Sequence, residues 1–103
     1  MTAQFNELIH APTRLSIVST LAAMEWSDFA HLRDAVGLSD SALSKQVATL
    51  EEAGYVTVRK GFIGKRARTS VRLNDVGRGA FLSHVAALQE IVARAGTTMI
   101  PTT

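Results

Sequence analysis

The chain has 103 residues, enough for one domain that buries its own core, and its 47% hydrophobic content excludes disorder over most of its length. It has no cysteine, which excludes disulfides, thiolate metal sites and cysteine nucleophiles. The net charge of +2 is modest but unevenly placed: seven of the eleven basic residues lie between Arg59 and Arg78 beside the single acid Asp75, and the rest of the chain is net acidic.

In chain order, Phe5, Leu8 and Ile9 form an apolar cluster suited to one or two helical turns before His10-Ala11-Pro12. Pro12 fits the first turn of the next helix, where its missing N–H is not needed. Leu15, Val18 and Leu21 or Ala22 then recur at helical spacing to about Met24. Glu25-Trp26-Ser27 reads as a break with room for one short strand. Phe29, Leu32 and Val36 make the inward face of a further helix, which Gly37 stops. Leu38-Ser39 is the turn, and Ser39 or Asp40 caps a helix over 40–53 whose Leu43, Val47 and Leu50 form one apolar stripe.

Beyond it, Tyr55, Thr57 and Arg59 alternate with Val56, Val58 and Lys60 as a half-buried strand does. A flexible loop bounded by Gly61 and Gly64 carries Lys65, Arg66 and Arg68, and Val71 and Leu73 mark the returning strand. Asn74 caps a long helix ending near Ala95-Gly96, with Gly77 and Gly79 marking close packing at its start. Residues 97–103 read as a frayed tail.

A short polar-faced helix followed by a hairpin with a cationic tip predicts a winged helix-turn-helix. The expected class is α+β, mainly α: a three-helix core, a β-hairpin wing and a long C-terminal helix, in one domain over 1–103. On the 40–53 helix the outward face carries Ser41, Ser44, Lys45, Ala48 and Thr49, with Gln46 at its edge. Small side chains let a helix approach a groove closely, lysine can meet phosphate or guanine, and glutamine can bond adenine at two atoms. Glu51 and Glu52 place the contact in the N-terminal half, where the helix dipole also favours an anion. The wing, over 61–68, is expected on the flanking backbone or minor groove. Ser39, Lys65 and Thr69 complete the expected DNA-contacting set.

These residues resemble the winged-helix DNA-binding domains of the MarR/ArsR type. The resemblance rests on ALSKQVATLEEAGYV (42–56), the basic wing through Lys60-Gly61, TSVRLNDVGR (69–78) and APTRLSIVSTL (11–21). It implies a small stand-alone transcriptional regulator, acting as a repressor, whose homodimer places two recognition helices in successive major grooves of a palindromic or pseudo-palindromic operator. It also carries over Ser41, Ser44, Lys45 and Gln46 as groove contacts and Arg66 and Arg68 as wing contacts. The long terminal helices of larger MarR-like regulators are mostly missing, and the thiolates or clustered ligands of ArsR-like metal sensors are not present.

Phe81, Val85, Leu88, Val92 and Ala95 repeat at 4-3-4-3 spacing, a coiled-coil-like seam flanked by Leu82 and Ile91. With Phe5, Leu8, Ile9 and the bordering His84, this seam is expected to close the homodimer through segments 1–10 and 80–95. His10, His31 and His84 have no ligand spacing, His31 reads as exposed, and packing is the ordinary reading of His84. No catalytic constellation, metal site or cofactor is expected, and neither is a membrane span or export signal, so the chain reads as cytoplasmic. The effector, if any, stays open. The alternative function is a winged-helix protein-interaction module that does not bind DNA.

Overall fold

The computed structural model describes residues 3–96. In chain order these form α1 (Glu7–His10), α2 (Pro12–Ala22), β1 (Ser27–Asp28), α3 (Phe29–Val36), α4 (Asp40–Glu52), β2 (Val56–Ile63), β3 (Arg66–Leu73) and α5 (Asp75–Arg94). The expected frayed tail, 97–103, lies outside the described residues.

Local chemistry sets most of the boundaries. Asn6, Ser39 and Asn74 each cap a helix: their side-chain oxygens accept the N–H groups of Ile9, Ala42 and Gly77. Pro12 opens α2 at a position where no N–H is required. Gly37 ends α3 at φ 69°, a left-handed conformation that a side chain would resist.

The core joins three helices to the sheet. Ile17, Val18 and Leu21 of α2, Leu32 of α3 and Leu43, Val47 and Leu50 of α4 pack with Val56, Val71 and Leu73. Each large side chain so buried contributes about 1.5–3 kcal/mol. The α4 stripe is the expected one. On α2 the buried face is shifted: Ile17 is fully buried and Leu15 only half-buried. The cause is that α2 packs against α1, α3, α4, α5 and β3, so a wider arc than one stripe is covered.

The sheet is antiparallel in the order β1-β3-β2. Val56 faces Leu73 and Val58 faces Val71, which places the apolar set on the core side. The short strand expected near Trp26 falls on Ser27–Asp28 and pairs with Ser70 and Val71. The flexible loop expected from Gly61 onward is absent. The ladder continues through Gly61 opposite Arg68 to Ile63 opposite Arg66, leaving only Gly64-Lys65 as the turn. Gly64 supplies the φ of 62° that such a tight connection needs. Gly61 is tolerated in the strand because both faces of the ladder are exposed there and no core contact is lost.

Gly77 is buried where α5 crosses the start of β2. A Cβ at this position would overlap the Tyr55 carbonyl oxygen and lie 2.7 Å from Leu73 Cδ1. At Gly79 the same atom would meet nothing within 4 Å, so close packing explains the first glycine and not the second.

Candidate nucleic-acid interface

The core stripe of α4 fixes what the helix offers outward. With Leu43, Val47 and Leu50 buried, Ser41, Ser44, Lys45 and Ala48 are exposed. Ser39 Oγ is occupied by the Ala42 N–H, and it lies 3.4 Å from Ser41 Oγ. Thr49 is half-buried and donates its hydroxyl to the Lys45 carbonyl at 3.1 Å. It is thus turned toward its own helix and is less available than the expected contact set assumed.

Gln46 requires a larger correction. It is half-buried, and its Oε1 accepts from Arg14 Nη1 at 3.0 Å, while Arg14 Nε donates to the Leu8 carbonyl. The amide oxygen needed for two-point bonding to adenine is therefore engaged with the first helical segments. Bidentate reading by Gln46 would first have to break that contact.

A groove of about 870 Å³ separates α4 from the wing, lined on one side by Ser41 and Ser44 and on the other by Ile63, Arg66, Arg68 and Thr69. Asp40 at the α4 start is paired with Arg33 at 2.8 Å, and Arg33 also meets Asp34 at 3.0 Å. These two carboxylates hold the Arg33 guanidinium proton above its ordinary pKa. The pairing offsets the negative charge that Asp40 would otherwise set at the mouth of the groove.

Of the seven cations of the 59–78 cluster, Arg72 is half-buried and the other six divide into two groups. Three serve the fold: Arg59 stacks over Trp26 at 4.0 Å, Arg68 Nε meets Asp28 Oδ1 at 3.2 Å, and Arg78 Nη1 donates to the Ala22 carbonyl at 2.9 Å. The last satisfies a carbonyl in the final turn of α2, where a cation also suits the helix dipole. Lys60, Lys65 and Arg66 are exposed and have no hydrogen-bond or ion-pair partner among the described residues, and the same holds for Lys45 on α4. Arg68, expected as a free wing contact, instead ties the wing to β1. Its partner could have been suspected only by knowing that Asp28 ends β1, the strand that pairs with β3.

The expected dimer seam is likewise divided. Ile9 and His84 are fully buried within the chain and offer no surface. Leu8, Phe81, Val85 and Leu88 are half-buried, while Phe5, Leu82, Ile91 and Val92 are exposed at 42%, 60%, 43% and 40%. His84 also has partners that its sequence spacing did not reveal. The Asn6 N–H donates to His84 Nδ1 at 2.9 Å, so the neutral ring carries its proton on Nε2, which lies 3.2 Å from His10 Nδ1. Phe5 packs its ring 4.7 Å from both imidazoles, and Asn6 Nδ2 donates to the Tyr55 hydroxyl. Burial, and then the charge of His10, lowers the His84 pKa below its ordinary value. His31 is exposed, as expected.

A capped helix with a small polar outer face, set across a groove from a cation-bearing hairpin, defines a winged helix built like those that dock on duplex DNA. The winged helix DNA-binding domain family model matches residues 13–92, and the chain belongs to that family. An uncharacterized protein of Methanocaldococcus jannaschii is 28% identical over 79 residues, covering 77% of this chain and 86% of its own. The transcriptional regulator homologue protein from Pyrococcus horikoshii OT3 superposes with a TM-score of 0.81 at 23% identity, over 87% of this chain and 89% of that one. A MarR family transcriptional regulator from Silicibacter pomeroyi gives a TM-score of 0.68 at 20% identity, over 92% of this chain and 62% of its own. The fold is thus that of MarR-type winged helices, and the chain spans less than two thirds of that larger regulator.

Proposed function

We propose that this chain is a sequence-specific, duplex-DNA-binding transcriptional regulator, a repressor, acting as a cytoplasmic homodimer on a palindromic or pseudo-palindromic operator. The observation that carries the reading is the set of unpartnered cations, Lys45, Lys60, Lys65 and Arg66, on the helix and wing that border one groove. In this reading Ser41, Ser44 and Lys45 enter the major groove, one phosphate strand runs between α4 and the wing, and Lys65 and Arg66 bind the flanking backbone. Ser39, Thr69 and Arg68 position these groups more than they touch bases, and Gln46 contributes only after releasing Arg14. No helix among the described residues is long and apolar enough to cross a membrane.

The dimer is assigned to α1 and α5. Phe5, Leu82, Ile91 and Val92 leave apolar surface in water, and Phe81, Val85 and Leu88 lie half-covered beside them. A two-fold partner would cover this surface and set the half-site spacing at about 10–10.5 base pairs or a multiple.

The test is a salt titration of binding to duplexes selected from a random pool. If a dimer neutralises roughly six to ten phosphates, affinity falls by about three to five decades between about 50 and 200 mM salt. Salt-independent binding, or none to any duplex, would refute the reading.

A further inference from the structure

The tip of the wing is apolar as well as basic. Phe62 is 75% exposed and Ile63 is 57% exposed, the former being the most exposed large hydrophobic residue of the described chain. They are consecutive strand residues, so they point to opposite faces of the hairpin, and they form the last two ladder pairs before the Gly64-Lys65 turn. Ile63 borders the groove shared with α4, and both Ile63 and Phe62 border a second, smaller groove beside Trp26 and Arg59. Lys60, Lys65 and Arg66 bracket the pair.

An exposed phenylalanine on a hairpin tip has no stabilising role in the free protein. Such residues are costly to leave in water and make an edge prone to association. The surrounding cations limit what can cover it. A second wing tip would bring like charges together, and a neutral protein surface would leave the lysines and arginine uncompensated. A DNA minor groove supplies both requirements: phosphates on either rim for Lys60, Lys65 and Arg66, and sugar and base surface between them for an apolar side chain.

We propose that Phe62 is an apolar wedge that enters the minor groove beside the site of α4 and partly unstacks one base step, with Ile63 packed on the adjoining sugars. The proposal rests on the DNA-binding reading above and adds to it a deformation of the DNA. The step it opens is expected to be a flexible pyrimidine–purine step, which yields most easily to unstacking. Wing specificity then arises from deformability, without a hydrogen bond to a base.

Phe62→Ala and Phe62→Leu should both fold, because the side chain touches no core, and circular dichroism checks this. On the tightest selected duplex, Phe62→Ala should weaken binding by about ten- to a hundredfold, and Phe62→Leu by much less. The salt slope should stay unchanged, since no cation is removed, whereas Arg66→Ala should lower it by about one per site. Bending of the duplex, read by end-to-end energy transfer, should decrease with Phe62→Ala, and 2-aminopurine at the opened step should lose its fluorescence increase. If the unaltered protein binds duplex in a salt-dependent way but Phe62→Ala binds and bends it equally well, the wedge is refuted and the DNA reading survives. If the unaltered protein binds no duplex, both fall. If Phe62→Ala loses binding only to phosphatidylserine-containing vesicles and not to duplex, the tip serves a membrane and the wedge is refuted.

Discussion

On α4 and the wing, Lys45, Lys60, Lys65 and Arg66 stand in water with no partner among the described residues, and the two large apolar side chains at the tip, Phe62 and Ile63, are exposed too. Along α1 and α5 the arrangement is reversed. There Tyr55, Asn6, the buried His84 and His10 bond to one another in a chain, while Phe5, Leu82, Ile91 and Val92 face out. The first surface is suited to an anion that supplies its own hydrogen-bond acceptors. The second is suited to an apolar surface. The contrast teaches that unmet bonding capacity, more than exposure, marks where a polar partner belongs.

The sharpest way to break the comparison is Leu88→Asp, which places a charge in the α5 seam and leaves α4 and the wing unaltered. If α5 closes the proposed dimer, this variant should sediment as a monomer and lose cooperative operator binding. A variant that still sediments as a dimer would remove α5 from the interface. A second substitution separates packing from propensity. Gly77→Ala gains about 1 kcal/mol of helix propensity but forces a methyl against the Tyr55 carbonyl and Leu73. Overpacking against a backbone atom outweighs this, and urea denaturation should show a net loss of about 2 kcal/mol.

Proton uptake gives a milder effect. His84 binds a proton less readily in the folded chain than in the unfolded one, because burial and His10 both oppose its charge. The unfolded chain therefore protonates first as the pH falls below its ordinary 6.5. Stability should be full above that value, decline as pH drops through it, and level off only below the depressed folded value. Protonation at Nδ1 also ejects the Asn6 N–H, so amide exchange at Asn6 should quicken along with the fall in urea midpoint. A midpoint independent of pH across this range would show that the His84 contact is not closed in solution. The smallest effect is Gly79→Ala, which meets no neighbour within 4 Å and should raise stability by up to about 1 kcal/mol.

What could be read from the sequence was local. Ser39 and Asn74 as caps, Gly37 as a helix stop and Leu43, Val47 and Leu50 as one stripe depend on residues a few positions apart, and each appears as expected. The functional assignments changed where the deciding partner was distant. Arg68 meets Asp28 across 40 positions, Arg14 reaches Gln46 across 32, and His10 lies beside His84 across 74. No periodicity encodes such pairs. The wing departs from expectation for a different reason: glycine propensity argues against a strand at Gly61, but in an exposed ladder the cross-strand register overrides it. Phe62 and Ile63 gave a usable signal, since two consecutive apolar residues in a strand cannot both face the core.

The unbroken ladder also turns the wing into a ruler. Beyond Ser70, where β1 stops supporting β3, four paired positions run to the tip, from Lys60 opposite Thr69 to Ile63 opposite Arg66. At about 3.3 Å each they hold the turn some 13 Å out, with little slack. Lengthening both strands by one residue would extend the reach by a single step but swap the faces of everything beyond the insertion. Lengthening both by two would restore the faces and move the tip by about 7 Å, on the order of the minor-groove width. Reach in this hairpin can therefore change with orientation preserved only in even increments.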